Sequence, residues 1–244
     1  MTADHLDWHY LEAKNWRKKR RSAVTGVVQH YTAAGDGLAV AKWFAGKAVY
    51  EGKLVDAPMS SAHVIICRDG AVIQQVPLAS EAFHAGEANS KGRWKGKPQP
   101  ENVNHFTVGI ENSNYGILTK TRTGFKTSSG RTYRGLEPQQ ALDHEGVERW
   151  WEPYPEALLQ SNIQVLKRVV QLYPAVTRAD VQSHSDVAPY RKHDPGPLFP
   201  HARILDAAFP KSGDEPLDDD NFLVLQANRG DLDHYDLDEE MCIE

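Results

Sequence analysis

Two apolar stretches early in the chain have the composition of β-strands. Residues 23–32, AVTGVVQHYT, form a β-branched run that is typical of a buried strand, with His30 near its C-terminal end. Residues 61–78, SAHVIICRDGAVIQQVPL, contain two further β-rich runs around the pair Asp69-Gly70, which is a strong hairpin signal. These stretches predict one buried strand and one hairpin.

Residues 106–112, FTVGIEN, alternate between apolar and polar positions with the period of two that a strand requires. Val108 and Ile110 share one face of this strand. The opposite face carries Thr107, Gly109 and Glu111. The strand therefore presents a carboxylate on a sheet surface beside a glycine, where another group can approach closely.

Helical periodicity appears in two other segments. In residues 36–46, Asp36 can cap a short helix that Gly46 ends. Between residues 155 and 174, apolar residues recur at steps of four and three: Leu159, Ile163, Leu166, Val170 and Tyr173. Together with a short strand-like segment before residue 184, these elements predict an α/β fold, a single domain with a central mixed β-sheet flanked by helices.

Polar stretches mark the surface of this domain and its limits. Residues 89–104 and 119–135 are rich in Gly, Lys and Arg, and we expect them to be surface insertions that form a basic rim. The chain has no internal repeat and no linker within residues 22–210. We therefore predict a basic N-terminal arm at residues 1–21, the folded domain at 22–210 and an acidic C-terminal tail at 211–244.

Composition and charge support this division. The 244 residues are 40% hydrophobic and 25% charged, which suits one globular core. The net charge of −5 combines two parts: residues 211–244 hold twelve acidic residues against two basic ones, a charge of −10, so residues 1–210 carry +5. The tail is expected to be solvated or loosely docked.

Several classes of protein are not expected. No run approaches the roughly 20 apolar residues of a membrane-spanning helix, and the N-terminus lacks the apolar core of a signal peptide, so we expect cytoplasmic synthesis without export by the general route. Cys67 and Cys242 are too few for a disulfide framework, and Cys67 is expected to be buried. No phosphate-binding loop is found, and no nucleic-acid partner is expected.

The most unusual stretch is residues 183–197, SHSDVAPYRKHDPGP. Its prolines and glycine turn the chain, so it can form a rigid loop that returns a carboxylate to a histidine. His30, His184 and Asp194 can then supply the three protein ligands of a catalytic zinc ion. From spacing alone the alternatives stay open: His184 can be a hydrogen-bonded histidine, and Asp194 can cap the turn before its proline.

Four ordered motifs carry a resemblance over about residues 22–210. VVQHYTAAG, SAHVIICRDGAVIQQVPLASEAFHAG, FTVGIENSNYG and SHSDVAPYRKHDPGP resemble the signatures of the zinc-dependent N-acetylmuramoyl-L-alanine amidases, the type 2 amidase family. This family includes AmpD-type recycling amidases, phage lysozyme-type amidases and peptidoglycan recognition proteins. The resemblance implies one Zn²⁺ per chain and a peptidoglycan or muropeptide substrate, cleaved at the amide that joins the muramic lactyl group to L-alanine.

The resemblance also implies a role for each matching residue. His30, His184 and Asp194 correspond to the zinc ligands. Glu111 corresponds to the catalytic acid and base, and Lys192 to a residue that stabilises the oxyanion. His84 corresponds to a family histidine near the substrate cleft.

One departure from the family pattern concerns Tyr190, which occupies a position where the family usually has glycine. This difference affects the shape of the local turn.

Other functions remain to be weighed against the amidase. A relative that has lost a ligand can bind peptidoglycan without cleaving it, a zinc amidase can act on a different amide, and an interaction protein can use the acidic tail. A recycling role and a lytic role at the cell wall both fit the sequence.

Overall fold

The computed structural model describes residues 8–86 and 102–209. The acidic tail and most of the predicted insertion 89–104 lie outside the described residues. The strands are β1 (Trp8–Tyr10), β2 (Trp16–Arg17), β3 (Gly26–Tyr31), β4 (Val49–Tyr50), β5 (Lys53–Leu54), β6 (Val64–Ile66), β7 (Val72–Gln74), β8 (Glu81–Ala82), β9 (Thr107–Asn112), β10 (Ile117–Thr121), β11 (Gly124–Lys126), β12 (Gln139–Leu142), β13 (Glu148–Trp151) and β14 (Val181–Ser183). The helices are α1 (Gly37–Phe44), α2 (Glu156–Leu172), α3 (His184–Val187) and α4 (His201–Ala208).

The centre of the fold is a mixed six-stranded sheet in the order β1-β7-β6-β9-β3-β14. Strands β6, β9, β3 and β14 are parallel, whereas β6 and β7 form the antiparallel hairpin predicted around Asp69-Gly70. In the register of β3 and β9, His30 lies opposite Glu111. The chain enters α3 directly after β14, beside β3. His30, Glu111 and His184 therefore gather at the carboxyl ends of three parallel strands, where open α/β sheets commonly bind ligands.

Helices cover both faces of this sheet. On one face α2 buries the side chains of its predicted apolar stripe against Val108, Ile110 and other strand residues, and α4 packs beside α2. On the other face α1 packs against Ile65 and the buried Cys67. The carboxylate of Asp36 accepts a hydrogen bond from the backbone N–H of Ala39, which begins α1 as the sequence predicts. The predicted fold class is confirmed.

The described part of the predicted basic arm packs on the domain. Strand β1 pairs in parallel with β7, and β2 pairs with β8. The guanidinium of Arg20 donates hydrogen bonds to the carbonyls of Leu78, Asn104 and Thr107 at distances of 2.8 to 3.1 Å. A guanidinium has five N–H donors and can satisfy several carbonyls at once, which explains why basic residues suit this position. The other predicted domain limits stay predictions.

A second sheet was not foreseen in the polar segment after β9. Residues 119–135 were expected to form an insertion at the surface, but they belong to a four-stranded antiparallel sheet in the order β11-β10-β13-β12. Only two of the sixteen strand residues of this sheet, Leu118 and Trp151, are buried, so its strands lack the apolar alternation that marks a half-buried strand. No helix within residues 8–86 and 102–209 has the length and apolar character needed to cross a bilayer.

Candidate metal centre and active site

Three side chains converge at the carboxyl ends of the parallel strands. His30 Nδ1 lies 2.9 Å from His184 Nδ1, and Asp194 Oδ2 lies 3.0 Å from His30 Nδ1 and 2.9 Å from His184 Nδ1. All three residues are buried. Two imidazole nitrogens and one carboxylate oxygen therefore face one another in a small space, and these residues form a group that can hold a metal ion.

The donor set fits zinc. Catalytic zinc sites use three protein ligands drawn from imidazole, carboxylate and thiolate, and leave a fourth position open. At the usual zinc to ligand distances, neighbouring atoms of a tetrahedral set lie about 3.3 Å apart, close to the separations between these donors. His30, His184 and Asp194 therefore match zinc in both chemistry and spacing.

Charge in the group also suits a cation. Burial, followed by the neighbouring ring of His184, lowers the pKa of His30 to about 4, so its imidazole is neutral at neutral pH. Burial raises the pKa of Asp194, but the neighbouring imidazoles of His184 and His30 outweigh this effect and hold the pKa below its ordinary range. The carboxylate is thus ionised beside a neutral imidazole that keeps a lone pair for a metal ion.

The segment from residue 183 to 197 folds back as a loop, although it begins with a regular turn. Residues His184–Val187 form the single helical turn α3, which a capping box between Ser183 and Asp186 begins. The N–H of Ser185 donates to the carbonyl of Asp194 at 2.9 Å, which fixes the return of the loop beside α3. The sequence indicated the returning loop but not the helical turn inside it.

Glu111 stands beside this group on β9. Its Oε2 atom is buried and has no hydrogen-bond partner among the described residues. Burial, followed by repulsion from Asp194, raises the pKa of Glu111 to about 8, while Lys192 acts in the opposite direction. Lys192 is half-buried and also lowers the pKa of His30, so its positive charge acts on both Glu111 and His30.

The structure locates His84 directly behind a candidate ligand. Its Nδ1 atom lies 3.0 Å from His30 Nε2, and its ring rests on Gly109, where an added Cβ would come within 2.4 Å of it. The group expected to approach this glycine is therefore His84. The side-chain oxygen of Asn104 accepts hydrogen bonds from the N–H groups of residues 84, 85 and 86, and thereby holds the backbone at His84.

Tyr190 occupies its position without backbone strain. The non-glycine residues with positive φ in the described parts of the chain are Ala33 and Glu51, so the turn at Tyr190 does not require the glycine that is usual there. The side chain is exposed at 58% of its surface. This departure from the family pattern alters the rim of the site and leaves the ligand group intact.

A second cluster of acidic residues and a histidine lies where the turn between β12 and β13 meets the loop that carries Asp194. Asp143, Glu145 and His193 bring ligand atoms close together. However, Asp143 accepts hydrogen bonds from the N–H groups of Glu145 and Val147 and from Arg149 Nε at 2.7 to 2.9 Å. The Asp143 carboxylate therefore organises a turn beside an arginine, which disfavours a second cation.

This turn supports the loop that carries Asp194. His144 Nε2 donates to the carbonyl of Pro189 at 2.7 Å, and His193 Nδ1 lies 3.6 Å from Asp143 Oδ2. Sequence reasoning missed this contact between the second sheet and the loop. The Asp-His-Glu-Gly composition of residues 143–146 signals a turn, but nothing in it indicates which part of the molecule the turn meets.

Comparison with known proteins gives this geometry its context. The sequence profile described as N-acetylmuramoyl-L-alanine amidase matches residues 20–197, which include every predicted site residue. The chain belongs to this amidase family. The match begins within the described part of the segment that we predicted to be an arm, in agreement with the packing of Arg20.

Among curated amidases of the family, the 1,6-anhydro-N-acetylmuramyl-L-alanine amidase AmpD of Escherichia coli (strain K12) is 31% identical over 144 residues, 59% of this chain and 56% of that protein. AmpD of Citrobacter freundii is 30% identical over 155 residues, 64% of this chain and 60% of that protein. The chain thus spans a little over half the length of these amidases.

Solved amidase structures share the fold. A selenomethionine derivative of AmpD superposes with a TM-score of 0.56 at 21% identity, over 85% of this chain and 97% of that chain. The amidase AmiD from E. coli, in complex with anhydro-N-acetylmuramic acid-L-Ala-D-gamma-Glu-L-Lys, gives a TM-score of 0.53 at 22% identity, over 80% of this chain and 62% of that chain. The central sheet and its flanking helices are therefore those of the amidase fold.

Proposed function

We propose that this protein hydrolyses the amide between the lactyl group of N-acetylmuramic acid and L-alanine, and that one zinc ion held by His30, His184 and Asp194 is its cofactor. The observation that carries the proposal is the convergence of three buried ligand atoms, 2.9 to 3.0 Å apart, on an amidase-family domain. A bound zinc ion supplies Lewis acidity, which polarises a carbonyl oxygen and lowers the pKa of water toward about 7.

Glu111 is proposed as the group that moves the proton. Its carboxylate takes a proton from the attacking water and returns it to the nitrogen of L-alanine, which makes the amine a better leaving group. Its position opposite His30 and its unpartnered, buried Oε2 atom support this role. Burial is the main cause of the raised pKa of Glu111 and repulsion from Asp194 the second; a cation on Asp194 would reduce that repulsion and so favour the ionised carboxylate, the form that accepts a proton.

Lys192 is proposed to stabilise the negative charge that develops on the carbonyl oxygen during attack. Its ammonium group is close enough to lower the pKa values of both Glu111 and His30. A positive charge fixed beside the reacting carbonyl stabilises an oxyanion more strongly in a site that excludes water than in bulk solvent. The half-buried setting of Lys192 fits this task.

The names of the relatives suggest the form of the substrate. AmpD is named for 1,6-anhydro-N-acetylmuramyl-L-alanine, and AmiD was solved with an anhydromuramyl peptide. We therefore infer that soluble anhydromuropeptides are the preferred substrates of this chain, which corresponds to a cytoplasmic recycling role. Intact peptidoglycan is the substrate expected of a lytic role.

The test is the release of peptides with free L-alanine amino termini, measured by mass spectrometry. Zinc-loaded protein is incubated separately with an anhydromuropeptide and with purified peptidoglycan. A chelated sample, Glu111→Gln and the exposed control Glu137→Gln are run alongside. New L-alanine termini only with the zinc-loaded wild type and the control support the proposal, and the faster substrate decides between the two roles.

Other results would lead to other functions. Zinc binding with retention of peptidoglycan but without new amino termini would favour a binding module. Zinc binding without either would favour an amidase that acts on another amide.

A further inference from the structure

We propose that Thr107 and His84 are positioning residues that fix His30 in one tautomer, with its proton on Nε2 and its lone pair on Nδ1, where a metal ion can use it. The inference rests on the proposed zinc site. Three consecutive hydrogen bonds connect the carbonyl of Val103 to the ring of His30, and each one determines the direction of the next.

The first bond joins Thr107 to the backbone. Thr107 Oγ1 lies 2.6 Å from the carbonyl oxygen of Val103, and Thr107 is fully buried. A carbonyl oxygen only accepts hydrogen bonds, so the hydroxyl proton of Thr107 must lie between the two oxygens. This bond therefore uses the one proton that the hydroxyl has.

The second bond joins Thr107 to His84. The distance from Thr107 Oγ1 to His84 Nε2 is 3.2 Å. Because the hydroxyl has already donated to Val103, its oxygen can only accept here. His84 must therefore carry a proton on Nε2.

The third bond joins His84 to His30, with 3.0 Å between His84 Nδ1 and His30 Nε2. The ring nitrogens of His84 contact Thr107 Oγ1 and His30 Nε2, and within the described residues no carboxylate forms an ion pair with this ring, so no partner favours its charged form and the ring is neutral. A neutral imidazole with its proton on Nε2 has a lone pair on Nδ1. That lone pair accepts the N–H of His30 Nε2, which leaves Nδ1 of His30 unprotonated.

The surroundings of His30 make this control necessary. Asp194 Oδ2 lies 3.0 Å from His30 Nδ1 and, without a metal ion, attracts a proton to that nitrogen. A proton there would occupy the lone pair that binds the metal. The hydrogen bonds from Val103 to His84 oppose this attraction. The contact with Gly109 limits movement of the His84 ring, and the Asn104 bonds hold its backbone.

The other candidate ligand lacks such control. His184 Nε2 is buried and has no hydrogen-bond partner within the described residues. His184 Nδ1 lies 2.9 Å from Asp194 Oδ2 and can donate to it in the metal-free protein. The two imidazoles are therefore expected to hold their protons differently before metal binding.

The main experiment uses Thr107→Val, which removes the hydroxyl and nearly preserves the shape of the side chain. Nitrogen-15 NMR of the histidine rings in the full-length, metal-free protein reports which ring nitrogen of His30 carries the proton. We expect Nε2–H in the wild type and a shift toward Nδ1–H in Thr107→Val. Zinc affinity, measured by competition with a chelator, should fall about 10- to 100-fold, as expected when a ligand histidine loses its hydrogen-bond partner.

Three further variants separate this effect from a general loss of structure. Thr107→Ser keeps a hydroxyl and should restore both the tautomer and the affinity. Thr127→Val makes the same buried change directly after β11, where Thr127 is 4% exposed, and should alter neither. At the next link, His84→Asn keeps an acceptor near the Nδ1 position and should retain zinc better than His84→Gln.

The inference is wrong if metal-free wild-type protein carries the proton on His30 Nδ1. It is also wrong if Thr107→Val leaves the tautomer and the zinc affinity unchanged. Failure of the proposed function is a separate result: a protein with the Nε2–H tautomer that binds zinc but releases no L-alanine termini would contradict the amidase proposal and support the tautomer inference.

Discussion

The candidate metal centre has a strand side and a loop side, and they are held in different ways. The strand side consists of His30 and Glu111, which face each other in the parallel ladder of β3 and β9. The loop side consists of His184, Lys192 and Asp194, which follow β14. The strand side is fixed by regular backbone pairing, whereas the loop side depends on contacts from distant parts of the chain.

Buried amides support the strand side from the face of the sheet that α2 covers. The side chains of Gln29, Asn112 and Asn162 hydrogen-bond to one another at 2.8 to 3.1 Å, and all three are fully buried. Asn112 Nδ2 also donates to the carbonyl of His30 at 2.8 Å. This network connects β3, β9 and α2 next to the backbone of the candidate ligand His30.

Single contacts support the loop side. The hydroxyl of Tyr154 donates to the carbonyl of Pro195 at 2.7 Å, and the ring of Trp151 lies against Gly196. His144 from the second sheet holds Pro189. The comparison teaches that damage to the buried amide network should appear mainly as lost stability, whereas damage to the contacts of the loop side should appear mainly as lost metal affinity.

The largest expected effect concerns the proton transfer on the strand side. Glu111→Gln should lower the hydrolysis rate by about 10²- to 10⁴-fold, the range of general acid and base catalysis, because the amide cannot accept the proton. Zinc content should be unchanged. Steady-state rates and metal analysis of the same preparation check both statements, and a variant that keeps its activity would exclude this role for Glu111.

The next effect tests the buried amides. Asn112→Ala should reduce the free energy of unfolding by about 1 to 3 kcal/mol, because buried polar groups of Gln29, Asn162 and His30 lose a partner. Urea denaturation measures the change, with the exposed Gln171→Ala as control. If zinc affinity falls far more than stability does, the proposed division between the two sides is wrong.

A glycine pair tests the loop side. Gly196 has a φ of +83°, and an added Cβ would lie 2.7 Å from the ring of Trp151, whereas Gly130 has a φ of +81° and nothing within 4 Å of its Cβ position. Both Gly196→Ala and Gly130→Ala should cost about 1 to 2 kcal/mol of backbone strain. Only Gly196→Ala should also weaken zinc binding, and equal zinc affinities would contradict the proposed support by Trp151.

The smallest expected effect is the pH dependence of the turn between β12 and β13. Burial raises the pKa of Asp143, but the hydrogen bond from Arg149 and two backbone N–H groups lower it from 3.8 to about 2. A carboxyl group whose pKa is lowered on folding stabilises the protein above its ordinary pKa and loses this contribution as the pH falls toward 2. The stability difference between the wild type and Asp143→Asn should therefore be constant near neutral pH and shrink below about pH 4.

Much of the strand side could be predicted from the sequence. The β-branched run around His30, the alternation around Glu111 and the stripe of α2 are local patterns, and each reports its own element. These patterns also indicated which face of β9 carries the carboxylate. The roles of Glu111, Lys192 and the three proposed ligands came from the resemblance to a family and stay predictions.

The remaining features depend on contacts that a local pattern does not encode. Trp16 pairs with Ala82, and His144 reaches Pro189 across 45 positions of the chain. The strands of the second sheet bury few side chains, so their composition resembles that of a loop. Thr107 and His84 lie in recognised motifs, but only the three-dimensional structure shows that the hydroxyl of Thr107 contacts the ring of His84, which in turn contacts the ring of His30.

The amide network beneath His30 also bears on how the chain finds its alignment. Gln29 and His30 point to opposite faces of β3, so a slip of one position between β3 and β9 would send the imidazole into the apolar core and the amide into the metal centre. In this misaligned sheet the side-chain amides of Asn112 and Asn162 would lose their hydrogen-bond partner Gln29. Unpaired buried amides are costly, so the network favours the observed register of β3 and β9 even before any metal ion has bound.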